Sequence, residues 1–239
     1  MIALVIVFVG ATVLGTVGFG LGVVTAPVFL MLVDPQSTVV MVNSFATMVL
    51  ICVLVQNRRH LDLRRARGLA LGGLAAVPIG VLALEAASPA TLRITIGVMI
   101  LSLAPLTVFN VRLPLSQRRF SGPVVGFLTS LMITTLAIGA PLVAIYVIAQ
   151  KWPPQAMRAS LAIFFLPLNV AALALYGWVG LVHLETLANI GVLVPSLAAG
   201  VGLATLIAGR INAQVFRYVA STLVMLGGGV LVGREIAGL

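Results

Sequence analysis

The sequence predicts an all-α integral membrane protein with about eight hydrophobic segments, arranged as two repeats of about four. Hydrophobic residues make up 61% of its 239 residues, and charged residues only 8%. A soluble protein has about 25% charged residues, so lipid is the solvent that suits this composition. The backbone must satisfy its own hydrogen bonds in lipid, and continuous apolar runs do not alternate as barrel strands do, so the segments are helices.

Windows without charged residues mark the segments, because about 20 apolar residues cross the hydrocarbon core of a membrane. There are eight of them: 1–33, 35–57, 68–84, 94–111, 120–150, 159–184, 186–209 and 218–233. The first and fifth are too long for one simple crossing and are interrupted near the middle by glycine and proline, which break helices. The interruptions are Gly15, Gly18, Gly20 and Gly22 around Phe19, and Gly139-Ala140-Pro141.

Each interrupted window is either a kinked helix that crosses once or a hairpin that returns to its starting side. Single crossings place nine basic residues on the cytoplasmic side and five outside, whereas hairpins place twelve inside and two outside. Because basic loops stay in the cytoplasm, the count favours hairpins, and hairpins invert the second half relative to the first.

The order of landmarks indicates an internal repeat, with residues 1–118 as the first unit and 119–239 as the second unit of one membrane domain. Ala26-Pro27 corresponds to Ala140-Pro141, and Asn43-Ser44 corresponds to Ala159-Ser160. Repeats of this kind are common in secondary transporters.

Other functional classes find little support in the sequence. The net charge of +9 lies in short loops, where membrane topology explains it without nucleic acid. We expect no catalytic residues, metal or cofactor, because no cluster of Cys, His and carboxylate residues is present, and the lone Cys52 is interpreted as a buried apolar residue. Five aromatic residues near window ends are typical of an interfacial belt: Tyr146, Trp152, Tyr176, Trp178 and Tyr218.

The two interruptions have two interpretations. Small residues can let helices pack closely, or an unwound stretch can point free amides and helix dipoles at an anion. Polar residues of the second window and its counterpart are either structural or line a pathway. For Arg158 we favour an anchor to lipid headgroups over a role in attracting an anion. All five acidic residues lie at segment ends or in loops, which argues against a cation carrier.

These landmarks together resemble the sulfite exporter TauE/SafE family of membrane permeases. The resemblance rests on Gly18-Phe19-Gly20-Leu21-Gly22 with Ala26-Pro27, then Asn43-Ser44, Leu61-Asp62, Pro78-Ile79-Gly80 and Leu92-Arg93, and a weaker series in the second half. It implies a secondary transporter that moves a sulfur-containing oxyanion or organosulfonate, in the outward direction, across the cytoplasmic (inner) membrane. An anion channel and a membrane subunit without transport activity remain as alternatives. The chain has less glycine at its second interruption than the family pattern, and Asn43-Ser44 and Ala159-Ser160 stand where a Thr-Ser pair is usual.

The predicted partners are a small anionic substrate and the lipid bilayer, with a homodimer left open and no nucleic acid. The predicted substrate-binding residues lie at the interruptions and on the segments that follow them: Gly18, Phe19, Gly20, Gly22, Pro27, Asn43, Ser44, Thr47, Gly139, Pro141, Arg158, Ser160 and Asn169.

Overall fold

The protein consists of helices and their connections, with no strand, in the part that the computed structural model describes, which is residues 1–58, 63–108, 121–139, 142–143, 146–147 and 154–207. This confirms the predicted all-α class. The longer helices are α1 (Ile2–Val17), α2 (Leu21–Leu32), α3 (Pro35–Gln56), α4 (Leu63–Ala86), α5 (Pro89–Val108), α6 (Ser121–Leu136), α7 (Pro154–Trp178) and α8 (Leu184–Ile207). The last predicted window, 218–233, lies outside the described residues.

Four of these helices are long and apolar enough to cross a membrane, over Pro35–Gln56, Ala66–Ala86, Ala156–Trp178 and Leu184–Ile207. Shorter apolar helices flank the two interruptions, at Ile2–Val17, Leu21–Leu32 and Ser121–Leu136. Local sequence explains where α3 begins. The side chain of Asp34 accepts a hydrogen bond of 2.8 Å from the Ser37 amide, and Pro35 occupies the first helical position, where a missing N–H costs nothing.

The first long window is a hairpin. Gly18 ends α1 with φ 92°, and Gly20 precedes α2 with φ 104°, both in the left-handed region that favours glycine. Beyond this turn α2 lies alongside α1, since a Cβ atom on Gly10 would be only 2.7 Å from Cγ2 of Thr25. A single continuous helix would hold these two residues roughly 20 Å apart at 1.5 Å per residue.

The second long window also breaks and folds back. Helix α6 ends at Leu136, and Ala137 has a positive φ of 58°. Gly139 then approaches α6, because a Cβ atom on it would be 2.8 Å from Cγ1 of Ile133. The break therefore begins at Ala137, two residues before the predicted Gly139-Ala140-Pro141, and residues 140 and 141 lie outside the described part.

Helices α3 and α8 run in the same direction. Near their beginnings the hydroxyls of Ser37 and Thr186 share a hydrogen bond of 3.0 Å, and near their ends the Gln56 amide donates to Thr205 at 2.9 Å. Early residues meet early residues and late meet late, which only parallel helices allow.

Helix α1 has this direction too. The Ser196 hydroxyl of α8 donates to the Leu4 carbonyl near the start of α1, and a Cβ atom on Gly15 near its end would meet Ala204. Because α1 and α3 are parallel while α2 folds back between them, the α1–α2 hairpin returns to the side from which it started.

Helix α4 runs the other way, since the Gln36 side chain at the start of α3 donates to the Leu84 carbonyl near the end of α4, at 3.1 Å. Helix α6 is parallel to α4. A Cβ atom on Gly126 would contact the Leu69 carbonyl near the beginnings of these helices, and one on Gly80 would contact Thr134 near their ends.

Helix α7 is antiparallel to α1 and α3, because Arg158 near its beginning contacts Gly18 at the end of α1, whereas Tyr176 near its end contacts Asn43 in the first half of α3. Helices α1, α3 and α8 thus run in one direction, and α4, α6 and α7 in the other. The second half is inverted relative to the first, which confirms the hairpin arrangement over single crossings. The division into repeats at residue 118 stays a prediction, because residues 109–120 lie outside the described part.

Candidate functional site

The two helix breaks touch each other. Gly22, in the first turn of α2, has no room for a side chain, since a Cβ atom there would be 1.9 Å from the carbonyl oxygen of Ala137 in the second break. On another side the same atom would be 3.2 Å from Cγ1 of Val42 in α3. Only glycine lets the two backbones come this close. The fold thereby brings together the two interruptions that the sequence identified.

The amino-terminal end of α2 faces this junction without a side-chain cap. Its N-cap residue is Gly20, which has no side chain, and no side chain accepts a hydrogen bond at the cap. The first N–H groups of any helix lack partners within the helix, and the helix dipole makes this end positive. A small anion is the ligand that such an end receives most readily.

Arg158 lies against the first break, although it belongs to the second half of the chain. A Cβ atom on Gly18 would be 3.3 Å from Cα and 3.5 Å from Cγ of Arg158. The guanidinium donates from Nη2 to the Gly15 carbonyl, in the last turn of α1, where a cation also offsets the negative end of the helix dipole. The side chain thus packs on the first break, whereas the sequence favoured an anchor to lipid headgroups for it.

The guanidinium of Arg158 retains binding capacity. Its Nε atom is buried and has no hydrogen-bond partner among the described residues. An arginine has five N–H donors arranged as a planar fork that matches two oxygens of an oxyanion. A buried donor without a partner costs free energy, so an anion at this position would be stabilised.

Asn43 and Tyr176 hold the end of α6, next to the second break. The Asn43 amide nitrogen donates to the Tyr176 hydroxyl at 3.2 Å and to the Ile133 carbonyl at 3.4 Å. The Tyr176 hydroxyl donates to the Thr134 carbonyl at 2.5 Å. Both side chains are buried, with 1% and 0% of their surface exposed. Tyr176 is thus not part of an aromatic belt, and sequence reasoning missed its place at the site. Trp178, which is 88% exposed, fits a belt.

Ser44 and Thr47 are half-buried and bond back to their own helix. The Ser44 hydroxyl donates to the Val40 carbonyl at 2.8 Å, and the Thr47 hydroxyl donates to the Asn43 carbonyl at 2.7 Å. Their protons are used within α3, so each hydroxyl can offer only its oxygen lone pairs to a ligand.

Ser160 and Asn169 are buried in α7 with unused polar atoms. Oγ of Ser160 and Oδ1 of Asn169 have no hydrogen-bond partner within the described part of the chain. The same is true of Thr129 and Ser130 in α6, which the sequence reasoning did not select. The adjacent hydroxyls of Thr129 and Ser130, a few residues before a helix break, were the sequence signal that could have identified these two residues. Within the described part of the chain, these four atoms are therefore available to pair with a polar ligand.

Among the described residues, the remaining predicted ones show no polar contact that points to a ligand. Phe19 lies in the turn between α1 and α2 and packs on the apolar core, and Pro27 is buried inside α2. Gly139 follows the second break, and Pro141 lies outside the described residues. The described part contains no group of three metal-ligating side chains.

Comparison with known proteins identifies the family. A search of curated proteins found no match. A search of solved structures also found none. The family model described as Sulfite exporter TauE/SafE matches residues 2–231, which is nearly the whole chain. With its apolar helices and its pair of apposed helix breaks, the chain is a multi-pass membrane protein that belongs to the sulfite exporter TauE/SafE family of membrane transporters.

Proposed function

We propose that this protein is a secondary transporter that carries a small sulfur-containing oxyanion or organosulfonate across the cytoplasmic membrane, in the outward direction and without enzymatic activity. The observation that carries the proposal is the junction of the two breaks, where Gly22 meets Ala137. An uncapped helix end and an arginine from the other half of the chain converge on the first break. The family to which the chain belongs supplies the sulfur chemistry.

The chemistry of the junction favours an anion. Backbone amides at the start of α2 and the guanidinium of Arg158 all donate hydrogen bonds, and both carry positive charge or partial charge. The acidic side chains of the described residues lie elsewhere, at helix ends: Asp34, Glu85 and Glu185. Among the described residues, a cation at the junction would therefore meet hydrogen-bond donors and no carboxylate.

Inverted halves also supply a mechanism of movement. In transporters of this design a substrate site lies between the halves, and one half rocks against the other to expose it to each side in turn. Here the proposed site would join the α2 amide end of the first half to Arg158 of the second, which packs on Gly18 in the turn before α2. Rocking of the halves would change the distance between these two groups and so would couple substrate binding to movement.

Reconstitution into proteoliposomes tests the proposal. We expect saturable uptake of sulfite and counterflow, in which unlabelled sulfite on one side drives labelled sulfite from the other. Arg158→Gln should reduce the rate at least tenfold per folded molecule, whereas Arg58→Gln, at an exposed position after α3, should not change it. Flux that does not saturate and shows no counterflow would identify an anion channel instead. Absence of any anion flux from folded protein would favour a subunit without transport activity.

A further inference from the structure

Arg158 is the charged side chain that the structure places at the helix breaks. Its backbone and aliphatic carbons pack on Gly18, and its guanidinium bonds to the Gly15 carbonyl. The other charged side chains with described surroundings also lie beyond a helix or within its first or last two turns, and none of their described hydrogen bonds reaches a break: Asp34, Arg58, Arg67, Glu85, Arg93 and Glu185.

This arginine has no counter-ion in the part of the chain that the structure describes, where its one hydrogen bond goes to a neutral carbonyl. Arginine stays protonated in proteins, so one full positive charge remains at the first break. The adjacent end of α2 adds only about half an elementary charge. The first break is therefore suited to balance a single negative charge.

We propose that Arg158 sets the charge of the cargo, so that the protein binds and carries its substrate as a monoanion. This inference rests on the proposed transport of a sulfur oxyanion. The cargo would be hydrogensulfite or a sulfonate bearing one negative charge, rather than sulfite or sulfate as a dianion. A monoanion beside Arg158 forms a neutral pair, whereas a dianion beside a single arginine leaves one negative charge uncompensated.

The geometry agrees with an oxyanion in general, and the single arginine favours one that carries one negative charge. One N–H of the guanidinium is held by the Gly15 carbonyl, and the buried Nε–H is without a partner among the described residues. Two oxygens of a sulfonate or hydrogensulfite group can accept from such a fork, and a third can accept from the amides at the start of α2.

Binding to the purified protein tests the inference, with methanesulfonate as a permanent monoanion and sulfate as a dianion of similar size. We expect methanesulfonate to bind at least tenfold more tightly than sulfate. Its affinity should not change across the pH range in which sulfite loses its second proton. The affinity for total sulfite should fall about tenfold per pH unit above that pKa, as the monoanion is depleted.

Variants separate the preference for a monoanion, which we call the charge rule, from the proposed transport. Arg158→Lys keeps the charge and should keep the preference for the monoanion, whereas Arg158→Gln should weaken methanesulfonate binding at least tenfold. Arg58→Gln is the control at an exposed site and should bind as the wild type does. The series of sulfite affinities against pH needs only wild-type protein, so the inference stays testable if Arg158→Gln does not fold.

Two results would overturn the inference in distinguishable ways. If sulfate binds as tightly as methanesulfonate and its binding depends on Arg158, the charge rule is refuted but the proposed anion transport is not. Binding of neither sulfonate, sulfate nor sulfite to folded protein would refute both the charge rule and the proposed function.

Discussion

Gly22→Ala should destabilise the protein, because the added methyl group would enter the space of a backbone carbonyl. The new Cβ atom would be 1.9 Å from the Ala137 oxygen, whereas ordinary contacts of a Cβ atom begin at 3.4 Å. The two breaks would have to separate by about 1.5 Å at this point. The obstacle is main chain and not a flexible side chain, so it cannot rotate away.

The two opposing effects can be compared in magnitude. Alanine is a better helix former than glycine by about 1 kcal/mol. Overpacking typically costs about 1–3 kcal/mol, and an overlap with backbone belongs at the upper end. We therefore expect a net loss of about 2 kcal/mol in the free energy of unfolding. At about 2–4 °C per kcal/mol for a chain of this length, the midpoint of thermal unfolding in detergent should fall by about 4–8 °C.

Gly191→Ala is the matched control, since this glycine is also helical but a Cβ atom on it would have no neighbouring atom within 4 Å. It should raise the unfolding temperature slightly, through helix propensity alone. Flux per folded molecule should fall in Gly22→Ala and stay unchanged in Gly191→Ala, because only the former moves the breaks apart. An unfolding temperature of Gly22→Ala equal to or above that of Gly191→Ala would refute the close apposition of the breaks.

Three further predictions follow from single contacts. Cysteines placed at Arg58 and His183, in a background without the native cysteine, should react with impermeant reagents from opposite sides of the membrane, and reaction from one side would contradict the inverted fold. Tyr176→Phe should lower stability by about 1–3 kcal/mol, because the buried Thr134 carbonyl loses its donor; an unchanged unfolding midpoint would show that the hydrogen bond contributes nothing. Ala137→Gly should raise stability by up to about 1 kcal/mol, since φ of 58° strains alanine but not glycine, and a fall in thermal midpoint would argue against this backbone conformation.

Much of the fold could be predicted from local sequence. Composition alone requires a membrane environment, because so few charged residues cannot make a water-soluble surface. Glycines at 18 and 20 identify the first break, since their left-handed conformation is one that other residues avoid. The distribution of basic loops indicated the inverted halves, because positive charge resists translocation. The second break was predicted two residues too late, because it begins at Ala137, and a positive φ is not expected of alanine.

The contacts that make the site could not be predicted in the same way. In a soluble protein the apolar face of a helix points to the core, but here lipid and core are equally apolar, so the sequence pattern does not say which face is buried. Trp178 and Tyr176 lie two residues apart near one helix end, yet the first is exposed and the second is buried. Tertiary structure alone decided that Tyr176 secures the end of α6.

The contacts between the two halves could not be predicted from local sequence either. The Arg158–Gly15 hydrogen bond joins residues 143 positions apart, and nothing in the local sequence separates an arginine that anchors to headgroups from one that binds a ligand. Likewise a glycine at position 22 predicts close packing but not the partner, which proved to be the carbonyl of Ala137. Sequence determined that the helices break and roughly where. Only packing of the inverted halves decided that the breaks meet, because that depends on surfaces brought together from distant parts of the chain.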